Sequence, residues 1–332
     1  MARYFITGAT GFVGRCLVKC LQESENEIIC LSRQKVKGGT SSVKWIAADL
    51  REAKTYAPDL KRADFVIHLA GVINSKSKAA YFETNVEGTA HLLEACRKTQ
   101  GPLRRFLYMS TIAVMGPGSD GRLLKESDAC APESEYGKSK LQAERMAASY
   151  AASIPVVILR PSFIYGEGNR RGLDFLNALS RNTAFLLASA IQTFGICHVS
   201  DVVQACLLAL TKKVRSGEVF LLSDGQAYTW DKLRDILTIV LNQIAPPGYR
   251  HNGIPALRLL GTAPAEAPVK WKLQKPQYWA CDVRRAGRIL GFRPHLPLWK
   301  GARETIAWYI REGLWDPTQL LIQKPASKGG TR

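Results

Sequence analysis

The sequence predicts an α/β fold: a doubly wound parallel sheet, followed by a smaller C-terminal α/β region. Three features of the 332-residue chain carry this. Short, continuous apolar runs recur through the first half. Amphipathic stretches separate them. A turn with three glycines stands between the first run and the first amphipathic stretch. Strands that are apolar throughout are buried on both faces, which a parallel sheet covered by helices provides.

The elements follow in order. Arg3–Ile6 is the first strand. Phe12–Gln22 is a helix, with Val13, Cys16, Leu17, Cys20 and Leu21 on one face. Strands Glu27–Ser32, Val43–Ala47, Phe65–Leu69, Phe106–Ser110 and Val156–Leu159 come next. Helical patterns cover Tyr81–Lys98 and Tyr136–Ala152. Beyond residue 165 the pattern loosens. Gly172–Ser189 reads as an apolar helix, and His198–Leu210 as a strand end running into a helix. Glu218–Leu222 is a strand, and Thr229–Asn242 a helix capped by Thr229. The stretch 243–277, rich in Pro and Gly, carries no clear period. Asp282–Leu290 and Leu298–Glu312 are helices stopped by Gly291 and Gly313. The polar tail 316–332 is expected to be disordered.

Composition narrows the function. The chain is 46% hydrophobic and 22% charged, as a globular protein is. Its 46 basic and 28 acidic residues give a net charge of +18, but the cations are scattered. No zinc-finger spacing or RNA-binding motif accompanies them, so nucleic acid is not an expected partner. Eight cysteines without a CxxC pair read as reduced thiols of a cytoplasmic protein. Five dispersed histidines suggest no metal site. No signal peptide and no membrane span is expected.

The strongest local signal is Thr7-Gly8-Ala9-Thr10-Gly11-Phe12-Val13-Gly14, directly after a strand and before a helix. Gly8 permits the tight turn, Gly11 lets the backbone approach a pyrophosphate, and Gly14 lets helix and strand pack closely. The helix start then offers free N–H groups to phosphates. This is a Rossmann-type dinucleotide site. The second strand ends Leu31-Ser32-Arg33-Gln34-Lys35, without a carboxylate for a ribose 2′-hydroxyl. Arg33 and Lys35, with Arg15 after the glycine turn, favour NADP, and NAD stays the alternative.

The second signal is Tyr136-Gly-Lys-Ser-Lys140. Residues i and i+4 share a helix face. A phenol ionises near ~10, and a neighbouring ammonium lowers that value, so the pair can exchange a proton with a substrate oxygen.

With these two motifs the chain resembles the short-chain dehydrogenase/reductase superfamily, in its extended, NAD-dependent epimerase/dehydratase-like branch. The likeness runs from about residue 3 to 315. It includes Asp49-Leu50, His68-Leu69-Ala70-Gly71, Asn85-Val-Glu-Gly-Thr89, Ser110-Thr111 through Gly116, Arg160-Pro161, Tyr165-Gly166, His198-Val-Ser-Asp201 and the closing Leu290-Gly291-Phe292. The resemblance implies a catalytic set of Thr111, Tyr136 and Lys140. It implies cofactor contacts from Gly8, Thr10, Gly11, Phe12, Val13, Gly14 and Arg33; from Asp49 and Leu50 around the adenine; and from Leu69, Ala70, Gly71, Asn85, Tyr136, Lys140 and Pro161. Ser110 and Phe163 are the expected substrate contacts. It also implies a core of residues 1–165, joined by about 195–225, and a substrate region of 166–194 and 226–315. A homodimer pairing segments near 85–98 and 136–151 is a further expectation.

Two departures bear on the substrate. Nucleotide-sugar members carry Asn where Phe163 stands, and an Arg-containing motif late in the chain where Lys275-Pro276-Gln277-Tyr278-Trp279 stands. Buried phosphate-binding groups need polar partners. The expectation is therefore an NAD(P)-dependent oxidoreductase acting on a carbonyl or secondary alcohol of a small, largely apolar molecule. Phe185-Leu186-Leu187-Ala188 could line its pocket. A nucleotide-sugar epimerase or dehydratase is the alternative, and a non-catalytic cofactor-sensing protein the third reading.

Overall fold

The computed structural model describes residues 1–36, 42–99, 101–118, 120–170, 172–173, 176, 191–244 and 277–316. Strands β1 (Arg3–Thr7), β2 (Glu27–Ser32), β3 (Val43–Ala47), β4 (Phe65–His68), β5 (Arg105–Met109), β6 (Val156–Pro161) and β10 (Glu218–Leu222) form one sheet. Its order is β10-β6-β5-β4-β1-β2-β3, and every pairing is parallel. The chain order reverses between β1 and β4, which opens a crevice at their carboxyl ends, where such sheets take ligands.

The sequence accounts for this sheet. β4, β5 and β6 are buried at every residue, as their unbroken apolar runs require. Along β1, Tyr4 and Ile6 face one way and Phe5 the other. The first face packs on α1 (Phe12–Gln22), through Leu17, Val18 and Leu21, and on α6 (Val199–Thr211), through Val202 and Cys206. The second packs on α2 (Ala53–Leu60), α4 (Gly88–Thr99) and α5 (Glu135–Ser149), through Tyr56, Leu92, Leu93, Ala143 and Ala147.

Three features depart from the sequence expectation. Helix α2 has no counterpart in it, because Pro58 lies inside the helix and only Tyr56 and Leu60 are buried, too few for a visible period. The helix expected over Tyr81–Lys98 is three pieces: α3 (Lys78–Phe82), a π-helical turn at Glu83–Glu87, and α4. The widened turn carries Asn85 inward. Short strands also pair outside the main sheet: β7 (Phe163–Tyr165) with β9 (Ile196–His198), and β8 (Ile191–Phe194) with β11 (Gln277–Trp279).

The C-terminal helices are α7 (Trp230–Ile244), α8 (Arg284–Leu290) and α9 (Leu298–Arg311). α7 and α9 share a separate core that includes Leu233, Leu237, Ile306 and Tyr309. Thr229 caps α7, its Oγ1 accepting the Lys232 N–H at 3.2 Å. The expected pocket segment Phe185–Ala188, most of Gly172–Ser189 and the tail from 317 lie outside the described residues. Among the described residues, no helix is long and apolar enough to cross a membrane.

Candidate active site

The glycine turn sits at the carboxyl end of β1. Gly8 has φ +73°, and a Cβ there would lie 2.5 Å from the Ala70 nitrogen. A Cβ at Gly14 would lie 2.2 Å from the Gly8 carbonyl oxygen. Both positions therefore exclude a side chain, one by conformation and contact and the other by contact alone. Gly11 begins α1 with no side-chain cap, and the first turn holds no acidic residue. Its N–H groups and positive dipole end are left for an outside anion, which fits a dinucleotide pyrophosphate. Thr10 and Gly11 are exposed here, and Phe12 and Val13 half-buried.

A buried hydrogen-bond chain fixes the neighbouring segment. The Thr89 hydroxyl donates to the Asn85 carbonyl (2.6 Å), so it accepts from His68 Nε2 (2.8 Å). His68 Nδ1 then accepts from the Thr7 hydroxyl (2.6 Å), whose oxygen accepts the Ala70 N–H (3.3 Å). Only the Nε2–H tautomer satisfies every partner. Burial pushes His68 down to about 3, with the Lys140 charge adding to it, so the ring is neutral. Leu69 and Ala70 are half-buried at this turn, and Gly71 is exposed.

Asn85 works as a clamp. Its Oδ1 accepts the Val72 N–H (2.7 Å), and its Nδ2 donates to the Val72 carbonyl (3.0 Å) and to Ser139 Oγ (2.9 Å). Ser139 in turn donates to the Tyr136 carbonyl (2.8 Å). The segment after β4 is thereby tied to the first turn of α5.

At the end of β2, Arg33 and Lys35 are exposed. Asp49 Oδ1 accepts from the backbone and side chain of Arg51, at 3.0 and 2.8 Å. The Arg51 hydrogen bond, and then the charges of Arg51 and Arg33, hold the Asp49 carboxyl below its usual range. Leu50 is buried beneath α4, where a Cβ at Gly88 would lie 2.9 Å from its Cδ1. Arg15 has another use than the sequence suggested. It donates to the carbonyls of Thr10 (2.7 Å) and Gly168 (3.2 Å), fastening the loop after β7 to the start of α1.

Tyr136 and Lys140 lie on α5, whose first turn is capped by Ser134, its Oγ accepting the Gly137 N–H at 3.0 Å. Tyr136 is half-buried, with its ring 6.4 Å from that of Tyr81. Lys140 is buried. Its Nζ donates to the Met109 carbonyl at 2.6 Å and lies 4.2 Å from the centre of the Tyr108 ring. Burial pulls the ammonium down to about 7, against the opposing pull of Glu144. A Cβ at Gly71 would lie 3.1 Å from Asn85 Oδ1 and 4.0 Å from Lys140 Nζ, so Gly71, Asn85 and Lys140 meet at one point.

Thr111 begins a 3-10 turn at Ile112–Val114 and accepts the Ala113 N–H at 3.2 Å, leaving its hydroxyl proton for another acceptor. A Cβ at Gly137 would lie 2.6 Å from the Ala113 carbonyl oxygen, so this turn presses on the first turn of α5. Thr111 and Tyr136 thus come from adjoining elements. Ser110 points the other way: it is buried and donates to Glu144 Oε2 at 2.5 Å. Glu144 also holds Arg160 through its guanidinium. The Glu144–Arg160 pair was not anticipated: Arg160 stood out in the sequence only through Arg160-Pro161, and Glu144, one helical turn after Lys140, not at all.

Pro161 is buried at the end of β6. Phe163, two residues on, is 48% exposed, and its ring meets Phe194 edge-on at 6.2 Å. Phe194 packs on Trp230 at 4.7 Å. β11 carries Tyr278 and Trp279 beside β8, and Tyr278 pairs in turn with Gly118, beyond the Thr111 turn. Phe163, Phe194 and Trp230 thus form one aromatic cluster past the end of β6.

The family model that matches is that of the NAD dependent epimerase/dehydratase family, over residues 4–223. The UDP-glucose 4-epimerase of Vibrio cholerae is 26% identical over 317 residues, covering 92% of this chain and 95% of its own. The decarboxylating sterol-4-alpha-carboxylate 3-dehydrogenase of Schizosaccharomyces pombe is 28% identical over 270 residues, 74% of this chain and 78% of its own. Among solved structures, MoeE5 in complex with UDP-glucose and NAD superposes with a TM-score of 0.74 at 28% identity, covering 93% of this chain and 99% of that one.

Proposed function

The chain belongs to the NAD dependent epimerase/dehydratase family, and from that premise we propose an NAD(P)-dependent oxidoreductase that reduces a carbonyl, or oxidises a secondary alcohol, of a small, largely apolar substrate. As a member of that family it is an enzyme. The bound nicotinamide supplies or takes up the hydride. The Tyr136 hydroxyl exchanges the proton with the substrate oxygen, and the Thr111 hydroxyl orients that oxygen. The Lys140 ammonium stabilises the Tyr136 phenolate and holds the nicotinamide ribose. Gly8, Thr10, Gly11, Phe12, Val13 and Gly14 hold the pyrophosphate, and Asp49 and Leu50 flank the adenine.

The observation that carries the substrate class is Phe163, a large apolar side chain left 48% exposed just past the carboxyl end of β6 and backed by Phe194. Such a surface stabilises an apolar ligand by roughly 25 cal/mol per Å² buried and offers no partner to a phosphate. The test is NADPH oxidation across a panel of apolar ketones, with the reverse reaction on the alcohols. Turnover that disappears in Tyr136→Phe supports the reading. No cofactor consumption across the panel overturns it.

A second reading is a nucleotide-sugar epimerase or dehydratase. The Vibrio relative and the UDP-glucose-bound structure favour it. Stoichiometric calorimetric binding of UDP-glucose would put it first.

For the cofactor we favour NADP over NAD, although several solved neighbours hold NAD. Arg33 stands exposed where an NAD enzyme needs a carboxylate, and Asp49 is already engaged by Arg51. Arg33→Ala is expected to weaken NADPH by about tenfold and to leave NADH nearly unchanged, read by fluorescence titration. A cytoplasmic location fits the eight free thiols. A homodimer through α4 and α5 completes the reading.

A further inference from the structure

Lys140 and Glu144 are one turn apart on α5, and both are buried. Consecutive residues at the end of β5 anchor them. The Met109 carbonyl accepts from Lys140 Nζ, and the Ser110 hydroxyl donates to Glu144 Oε2. From β6, Arg160 donates through Nε to both Glu144 oxygens, at 3.0 and 3.2 Å, and its Nη2 closes the ion pair. Arg160 also reaches Met115 Sδ (2.8 Å) and Cys130 Sγ (3.3 Å), so its place is fixed from several sides. The cluster is thus a buried carboxylate paired with one cation and one helical turn from another. Fields act strongly in such surroundings.

We propose that Glu144 is a positioning residue that acts through Lys140: held in place by Ser110 and Arg160, its carboxylate favours the charged form of the buried ammonium. The proposal rests on the reading of Tyr136–Lys140 as the proton-transfer pair, since only a charged Lys140 stabilises a phenolate. Burial alone discharges a lysine. Among the described residues, the other groups near Lys140 offer no compensating carboxylate. Tyr136 is a phenol on the same helix, Tyr108 an aromatic face on β5, and His68 on β4 is neutral. Arg160, the cation paired with Glu144, opposes the field of that carboxylate, so the two should act on Lys140 with opposite sign.

The test titrates Lys140 directly in the cofactor-free protein, with no substrate. Lysine is labelled with 13C at Cε, and the Lys140 signal is identified by its loss in Lys140→Arg. Glu144→Gln keeps the shape and the hydrogen bond from Ser110 but removes the charge. It is expected to lower the Lys140 midpoint by about one pH unit or more. Arg160→Gln removes the competing cation and is expected to raise it. A folded Glu144→Gln protein with an unchanged or raised midpoint overturns the proposal. Should that variant not fold, Arg160→Gln decides: a rise supports it, and no movement or a fall overturns it. A merely structural role for the pair would change the thermal midpoint without this opposite-sign pattern. The measurement uses no turnover, so a failed substrate panel and a failed titration are separate results.

Discussion

Single residues set the geometry here through exclusion as much as through contact. Gly8 combines φ +73° with a backbone neighbour 2.5 Å from where a Cβ would stand. Gly8→Ala is expected to cost at least ~2 kcal/mol, from left-handed strain plus displacement of Leu69–Ala70. It should weaken dinucleotide binding as well, read by urea unfolding and by NADPH titration. This position was legible in the sequence, because a glycine between strand and helix admits few explanations. The Tyr136–Lys140 spacing was legible for a similar reason: i and i+4 must share a face. Ser110 shows the limit. In sequence it is as good a hydroxyl as Thr111, yet neighbouring residues in extended backbone point to opposite sides. Only the position of Glu144, across a helix 34 residues away, shows where its proton goes.

At the scale of elements, α5 unites the site. Its start depends on Ser134, which caps Gly137 one residue after Tyr136. Ser134→Ala is expected to cost ~1 kcal/mol by urea unfolding. It should lower turnover more than NADPH affinity, because the loosened turn carries Tyr136. The ends of α1, β2, β3 and β10 agree with those read from sequence, since unbroken apolar runs and one clear amphipathic period mark them. The π turn at Glu83–Glu87 left no such mark. One residue of extra width is a tertiary accommodation: it lets Asn85 reach Val72 and Ser139 at once. The pairs β7–β9 and β8–β11 were also invisible, because three- or four-residue strands are defined by a partner far away in sequence.

For the whole molecule, the titrating groups bound the stable pH range. His68 and His198 are pushed by burial to about 3 and about 4, below the usual 6.5. The unfolded chain therefore binds protons first, and each ring costs about 1.4 kcal/mol per pH unit as pH falls below 6.5. At the other limit, burial raises the thiols of Cys30 and Cys206 to about 12 and that of Cys281 to about 11, from 9. Those contributions are intact below pH 9 and lost above it. Lys140, lowered from 10.5 to about 7, adds a gain of the same slope as pH rises above 7. Thermal midpoints are expected to be highest between about pH 6.5 and 9, checked by calorimetry across pH. The exposed faces of α4 and α5 carry His91, Arg97, Lys98, Lys138, Gln142 and Arg145, with no large apolar side chain. A dimer through them would set like charges against each other. Sedimentation should then show association strengthening between ~0.05 and ~0.5 M salt, which screens that repulsion. The sequence by itself determined the parallel sheet, the glycine turn and the Tyr–Lys pair, because each follows from local periodicity or backbone conformation. Tertiary structure alone decided that Ser110 turns away, that Arg15 fastens a loop, and that Glu144 and Arg160 sit behind Lys140. Those facts depend on which distant segments share a buried, low-dielectric space, and no local pattern encodes that.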